Sequence, residues 1–288
     1  MADIIIDIAL DALIDSVKML PFLFLAYLLI EYIEHRHSQS IEKALAGGGK
    51  FGFVPGAVLG LFPQCGFSAM AANLYSSKVI TLGTLIAVFI STSDEAIPLL
   101  IASPERWGSL AAILAAKLVL AMVAGFFIDI VLGKMLPQRL RGGYEGKTEE
   151  IDCHEHVESD SIWLAAIKHT LHIWIFILVF NLVIGAVVTL VGEETIGAVI
   201  DAAGAFQPAL AGLVGLIPNC AASILLTELY AAGRLTFGGL LAGLSTGAGV
   251  GLAVLLRSNK SWKQNAFIIA LLYAIGVAAG MLAQLMPI

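Results

Sequence analysis

The sequence predicts an all-α integral membrane protein of two inverted-topology repeats, with about ten helical segments in total. Three observations predict it: composition, an internal duplication, and a proline break at the same place in each copy. Of the 288 residues, 59% are hydrophobic and 13% charged, and the mean hydropathy is +0.91. A soluble domain carries about 25% charged residues, so this chain lacks the side chains to coat a water-facing surface. Residues 59–107 and 214–262 align without a gap at a constant offset of 155, and 14 of the 49 aligned positions are identical. The identities include Gly60/Gly215, Pro63/Pro218, Cys65/Cys220, Ser68/Ser223, Tyr75/Tyr230, Thr81/Thr236, Gly83/Gly238 and Trp107/Trp262. Self-similarity at a fixed offset is the mark of duplication. Paired interruptions of hydrophobic segments are the sequence pointer to a binding site between two halves.

Each element follows in order. Asp3, Asp7, Asp11 and Asp15 recur every four residues among Ile and Leu, which makes one acidic face on a helix lying at the membrane surface. No basic n-region or small-residue cleavage site precedes it, so no removable signal peptide is expected. The first span runs from about Val17 to Ile33, and a polar, Gly-rich connection through His35-Arg36-His37 leads to Gly47-Gly48-Gly49-Lys50. Phe51–Tyr75 follows, broken near its middle at Pro63-Gln64-Cys65-Gly66. Val79–Ser103 is interrupted by Ser91-Thr92-Ser93-Asp94-Glu95, and Leu110–Leu132 closes the first half. Residues 1–132 are thus one transmembrane repeat and 133–160 a polar linker loop. Residues 161–288 form the second repeat, with Ile162–Leu190, Ala205–Tyr230 broken at Pro218-Asn219-Cys220, Leu235–Leu256 and Ala266–Leu285.

Positive charges decide how the broken segments run, because cytoplasmic loops collect Lys and Arg. If each Pro-Cys segment crosses once, the 15 basic residues other than Lys117 split seven against eight, which is no bias. If each returns to its own side as a re-entrant hairpin, only Lys18, Arg106 and Arg234 fall outside the cytoplasm. The hairpin topology is therefore expected. It gives each half an odd number of crossings, hence opposite orientations, with both termini extracytoplasmic and the 133–160 loop cytoplasmic.

Backbone freed by a break at membrane depth survives only inside protein or beside a wet cavity, and proline produces such a break by removing a donor and clashing with the preceding turn. Two breaks entering from opposite sides bring Gln64-Cys65 and Asn219-Cys220 together near the midplane, with Ser68 and Ser223 one turn deeper on the same faces. A lone membrane cysteine is ordinarily a small packing residue; two in matched Pro-polar-Cys triplets read better as site residues. Asp94 and Glu95 are two adjacent acids within an apolar span, costly by a few kcal/mol each. Opposite them stand Gly249 and Val250, so acids come from one repeat and a flexible Gly-rich backbone from the other. Lys117 lies within the last span of the first half and should pair with Asp94 or Glu95, a coupling device if a cation or proton breaks the pair. Glu31, Asp129, His169 and His172 lie near span ends, where an interfacial role suffices.

In the linker, Asp152-Cys153-His154-Glu155-His156 offers a weak site for a soft or borderline divalent metal through Cys153, His154 and His156. It is too short for a closed structural zinc site, and a solvated acidic linker is the competing reading. Three cysteines argue against a disulfide framework, and no basic stripe suggests nucleic acid. Neither a phosphate loop nor a metalloprotease or nucleophile-elbow motif occurs, so ATP hydrolysis and other hydrolase chemistry have nothing to rest on. No cofactor is implied.

At FPQCGFS (residues 62–68) and STSDE (residues 91–95) the sequence resembles a bacterial membrane family of ten-helix heavy-metal exporters, variously labelled manganese transporters or arsenic efflux proteins. The resemblance covers nearly the whole chain and implies export of a metal or metalloid across the bacterial inner membrane. The expected protein is a secondary transporter moving a small ion outward by alternating access. Its core ligands would be Cys65, Asp94, Glu95 and Cys220, assisted by Gln64, Asn219, Ser68 and Ser223, with a proton or sodium as coupling ion and homo-oligomerisation open. Carboxylates and amides suit a harder divalent ion such as Mn²⁺, whereas three thiolates would better suit trivalent arsenic. Two other classes stay open: a transporter of organic or anionic solutes, including arsenicals, and a non-transporting membrane protein.

Overall fold

The helices entering each break end at matching residues in the two copies, Gly60 with Gly215 and Ser91 with Thr246. The computed structural model describes residues 51–62, 65–93, 96–101, 104–143 and 193–285, together with separate helical positions within 10–28 and 163–183. Among the described residues the regular structure is helical, with one isolated antiparallel bridge between Thr81 and Gly142. The first copy contains α1 (Phe53–Gly60), α2 (Cys65–Ser76), α3 (Leu82–Ser91), α4 (Ala96–Ile101) and α5 (Trp107–Phe126). After α6 (Glu193–Ala202), the second copy contains α7 (Gln207–Gly215), α8 (Cys220–Ala231), α9 (Phe237–Thr246), α10 (Val250–Ser258) and α11 (Trp262–Gln284). Three stretches are long and apolar enough to cross a membrane: Trp107–Lys134, Phe237–Ser258 and Trp262–Gln284. Each exceeds the roughly 20 residues that span the hydrocarbon core.

The local chemistry of the element ends is duplicated too. Thr81 caps α3 by accepting from the Thr84 N–H at 3.2 Å, and Thr236 caps α9 by accepting from the Gly239 N–H at 3.1 Å; such a cap contributes about 1 kcal/mol. α2 and α8 both close in a left-handed turn, with φ +60° at Lys78 and +73° at Gly233. There the Val79 N–H reaches the Leu74 carbonyl, and the Arg234 N–H the Leu229 carbonyl. That conformation favours glycine, so the first copy bears strain at Lys78 that the second avoids.

Packing within each copy rests on close approach between small residues, the main source of helix adhesion where lipid removes the hydrophobic driving force. α1 lies along α3 and runs in the same direction: Gly56 faces Thr84 and Val88, and Gly60 faces Val88 and Ser91. α7 and α9 repeat this, with Gly215 against the Gly243 carbonyl and the Thr246 hydroxyl donating to the Gly212 carbonyl at 2.8 Å. α5 flanks α3, and α11 flanks α9. Between copies, α2 packs along α10 and α8 meets α4. Gly251 sits against Ser68, and the Ser258 hydroxyl donates to Asn73 Oδ1 at 2.8 Å. At the other pairing, Arg106 donates to the Ala231 carbonyl and the Tyr230 hydroxyl to Ser109 Oγ at 2.9 Å.

Asp129, expected only as an interfacial residue, is buried and forms a clasp. It sits in a π-helical turn, Phe127–Val131, that continues α5. Its carboxylate accepts from the Thr81 hydroxyl at 2.6 Å and the Gly83 N–H at 2.9 Å, at the positive start of α3. A side chain at Gly83 would overlap this carboxylate. The same clasp recurs in neutral form, where Gln284 Nε2 donates to Thr236 Oγ1 at 2.9 Å. Asp129→Ala strands a buried N–H and a hydroxyl and is expected to cost about 1–3 kcal/mol. Gln284→Ala, at an exposed bond, is expected to cost less; thermal unfolding in detergent compares the two.

Candidate functional site

Two broken spans meet on one ammonium. α3 stops at Ser91, where Thr92 turns to an extended ψ of 126°. α9 stops at Thr246, and Gly249 at φ +51° re-aims the chain into α10. A helix end of this kind leaves carbonyls without intrahelical donors and carries the negative end of the helix dipole. Lys117, on α5, is fully buried. Its Nζ donates to the Thr92 carbonyl and to the Leu244 carbonyl, the latter at 2.7 Å. One cation thereby ties together the C-terminal ends of a half-length helix from each copy. A hydrogen bond from a charged donor contributes about 1.5–3 kcal/mol.

Beside this junction lies a cleft lined by Thr92 and Ser93 from the first copy and by Asn219, Ser223, Gly247 and Gly249 from the second. Its cavity is about 10 Å³, room for about one water molecule. Asn219 Oδ1 accepts from the Ala221 N–H at 3.2 Å and so caps α8, which sets the positive start of α8 at the cleft. The cleft thus collects a helix N-terminus, two helix C-termini and the side chains of Thr92, Ser93 and Ser223, with the Lys117 junction next to it.

Of the residues expected from sequence, Asn219 and Ser223 line the cleft, half-buried. Ser68 is buried on α2 against Gly251 of α10. Cys65 and Cys220 are the first residues of α2 and α8. Their side chains, and Gln64, Asp94, Glu95, Cys153, His154 and His156 altogether, lie outside the described residues. Among the described residues no group of three or more His, Cys, Asp or Glu could hold a metal. The expected meeting of the two Pro-polar-Cys tips involves Gln64 and the Cys65 and Cys220 side chains and so lies outside the described residues; the contacts that are described run between copies. Asn219 and Ser223 face the first copy's break at Thr92-Ser93, and Ser68 faces the second copy's α10.

Sequence reasoning missed the carbonyls of Thr92 and Leu244 as partners of Lys117, since backbone acceptors leave no trace in residue type. It also missed Ser245, whose buried Oγ has no hydrogen-bond partner and which adjoins Leu244. A serine one position before a Thr-Gly break was the signal available.

These features define a multi-pass membrane protein whose broken helices converge on a polar centre. The chain belongs to the family described as "Putative, 10TM heavy-metal exporter", whose profile matches residues 1–195. The resemblance noted at FPQCGFS and STSDE therefore holds. No match was found among curated proteins, and none among solved structures.

Proposed function

We propose that the protein is a secondary active transporter that exports a metal ion, foremost a divalent transition metal such as manganese, by alternating access about a central site between two inverted repeats. The observation that carries this reading is the Lys117 junction, a buried cation joining interrupted helices of both copies beside an ion-sized cleft. Broken helices whose ends converge inside a membrane body are how transporters bind ions away from water.

Support for re-entrant Pro-Cys segments comes from the level at which they begin and end. Phe53 starts α1 beside Gly125, and Gly83 starts α3 beside Asp129, both near the end of the α5 span. α2 ends where residues 77–81 lead into α3, so the segment begins and ends on one side. Support for inversion comes from the pairing of α2 with α10. They run in the same direction, Ser68 at Gly251 and Asn73 at Ser258, so the end of α2 lies across the membrane from the start of α9. α8 ends near that start and beside Arg106. The sequence duplication supports the domain reading of 1–132, 133–160 and 161–288. The distribution of basic residues supports a cytoplasmic linker and extracytoplasmic termini, and in this reading the protein sits in a bacterial inner membrane.

In this reading Gln64, Cys65, Ser68, Asn219, Cys220 and Ser223 bind substrate with Asp94 and Glu95, and these two acids with Lys117 couple it to a proton or sodium. The linker's Cys153, His154 and His156 would collect metal on the cytoplasmic side. The size of the cleft favours a bare ion over an organic solute. The Lys117 ammonium and the positive start of α8 favour an anionic solute, including arsenicals, as the second reading. Purified protein in liposomes is expected to move Mn²⁺. Cys65→Ser with Cys220→Ser is expected to weaken Mn²⁺ binding, followed by calorimetry, by about tenfold or more. Unchanged binding would remove the thiols from the site.

A further inference from the structure

The chain's own donors serve several carbonyls at the two interrupted ends. Where α3 stops, the Val88 carbonyl accepts from the Thr92 N–H at 3.0 Å, and the Ser91 carbonyl from the Ser93 hydroxyl at 3.2 Å. Where α9 stops, the Gly243 carbonyl accepts from the Gly247 N–H and the Thr246 carbonyl from the Ala248 N–H, each at 3.0 Å. The Thr92 and Leu244 carbonyls take the Lys117 ammonium instead. Unwound carbonyls and half-helix C-terminal ends are the groups that hold Na⁺ at the broken helices of secondary transporters. Here a charge carried by the chain itself stands among them.

Both acceptor residues, Thr92 and Leu244, also line the cleft, as do Gly243 and Gly247, so the junction borders a space about the size of one water molecule. Ser245, next to Leu244, is fully buried and its Oγ has no hydrogen-bond partner, a further oxygen on the same turn. The fold does not by itself require a lysine beside a break. The offset of 155 holds along the flanking helices, since Gly125 faces the Gly83 carbonyl and Gly280 the Gly238 carbonyl. By that offset Lys117 corresponds to Leu272 of α11, which is just as buried. One copy flanks its broken span with hydrocarbon, the other with a cation.

We infer that the junction is a monovalent-cation site, of the kind that takes Na⁺ or K⁺, and that Lys117 fills it with a tethered ammonium. A single compact positive charge is what two converging helix C-termini attract. Being covalently held, it never leaves, so sodium has no place at the junction and transport does not draw on a sodium gradient. That consequence rests on the transporter reading; the site itself does not.

The test empties the site. Lys117→Ala vacates the space of a propylammonium ion, whereas Lys117→Met keeps that space filled. Unfolding in detergent is compared at equal ionic strength in NaCl, KCl, propylammonium chloride and choline chloride, choline being too bulky for the junction. Lys117→Ala is expected to unfold below the wild type in choline and to rise by about 3 °C or more in at least one of the other salts. The wild type and Lys117→Met should not respond. Wild-type Mn²⁺ flux in liposomes is expected to be the same with choline in place of sodium on both sides. A folded Lys117→Ala that is no more stable in any of the three salts than in choline overturns the inference. So does an equal response from the wild type or Lys117→Met, which would put the cation elsewhere. Wild-type flux that needs sodium overturns it too, and that measurement applies even where Lys117→Ala does not fold. A wild type that moves no Mn²⁺, beside a Lys117→Ala that sodium, potassium or propylammonium restores, fails the manganese reading and keeps the site.

Discussion

A Lys117→Met protein is expected to lose Mn²⁺ flux altogether and to unfold at a markedly lower temperature than the wild type. Methionine fills the same space, so the loss reports the charge and its bonds rather than packing. Without the ammonium, the Thr92 and Leu244 carbonyls end two interrupted helices with their donor gone, at about 1–3 kcal/mol for each buried acceptor left alone. The negative ends of both helices would then face each other uncompensated in a low-dielectric interior. Lys117→Arg keeps charge and donors and is expected to recover most of the unfolding temperature. Its rigid planar fork cannot reproduce both bonds of a compact ammonium, so flux should recover less than stability does. A Met variant with wild-type unfolding and flux would detach Lys117 from both fold and function.

Gly215→Ala is the second large effect, arising from backbone crowding. An added Cβ would overlap the Gly243 carbonyl oxygen and the Thr246 hydroxyl. Backbone cannot rotate aside, so α7 must move off α9, which also breaks the Thr246 bond to Gly212. Overpacking of this kind costs about 1–3 kcal/mol where side chains can give, and Gly215→Ala is expected at or above the top of that range. Gly60→Ala meets the Ser91 hydroxyl and the Val88 carbonyl; Ser91 can turn away, so the penalty should be smaller. Gly108→Ala, with nothing within 4 Å of the added carbon, serves as the neutral comparison. Unfolding in detergent ranks the three, and an order other than 215, 60, 108 would contradict the packing described.

Much of the fold was legible because duplication writes the same local signals twice. Pro63 and Pro218 read as paired breaks, and the aligned pairs Thr81/Thr236 and Trp107/Trp262 prove to be matched helix caps and matched helix starts. Each of these is settled by covalent geometry or by bonds within a few residues. Asp129 was misjudged for the opposite reason. Its value comes from Thr81 and Gly83, far off in sequence, and position near a span end says nothing about what folds over it. Lys117 was recognised as needing a partner, but the described partners are carbonyls, which every residue carries.

The sequence alone determined that this chain lives in a bilayer, that it is built twice, and where each copy must break. Those features depend on composition and on chain stiffness at proline, threonine and glycine. Only the tertiary structure decided that Asn219 and Ser223 share a cleft with Thr92 and Ser93 of the other copy, that one ammonium serves two helix ends, and that Asp129 clasps the start of α3. Those outcomes turn on contacts between residues remote in the chain, and two copies with the same local rules can satisfy them in more than one way.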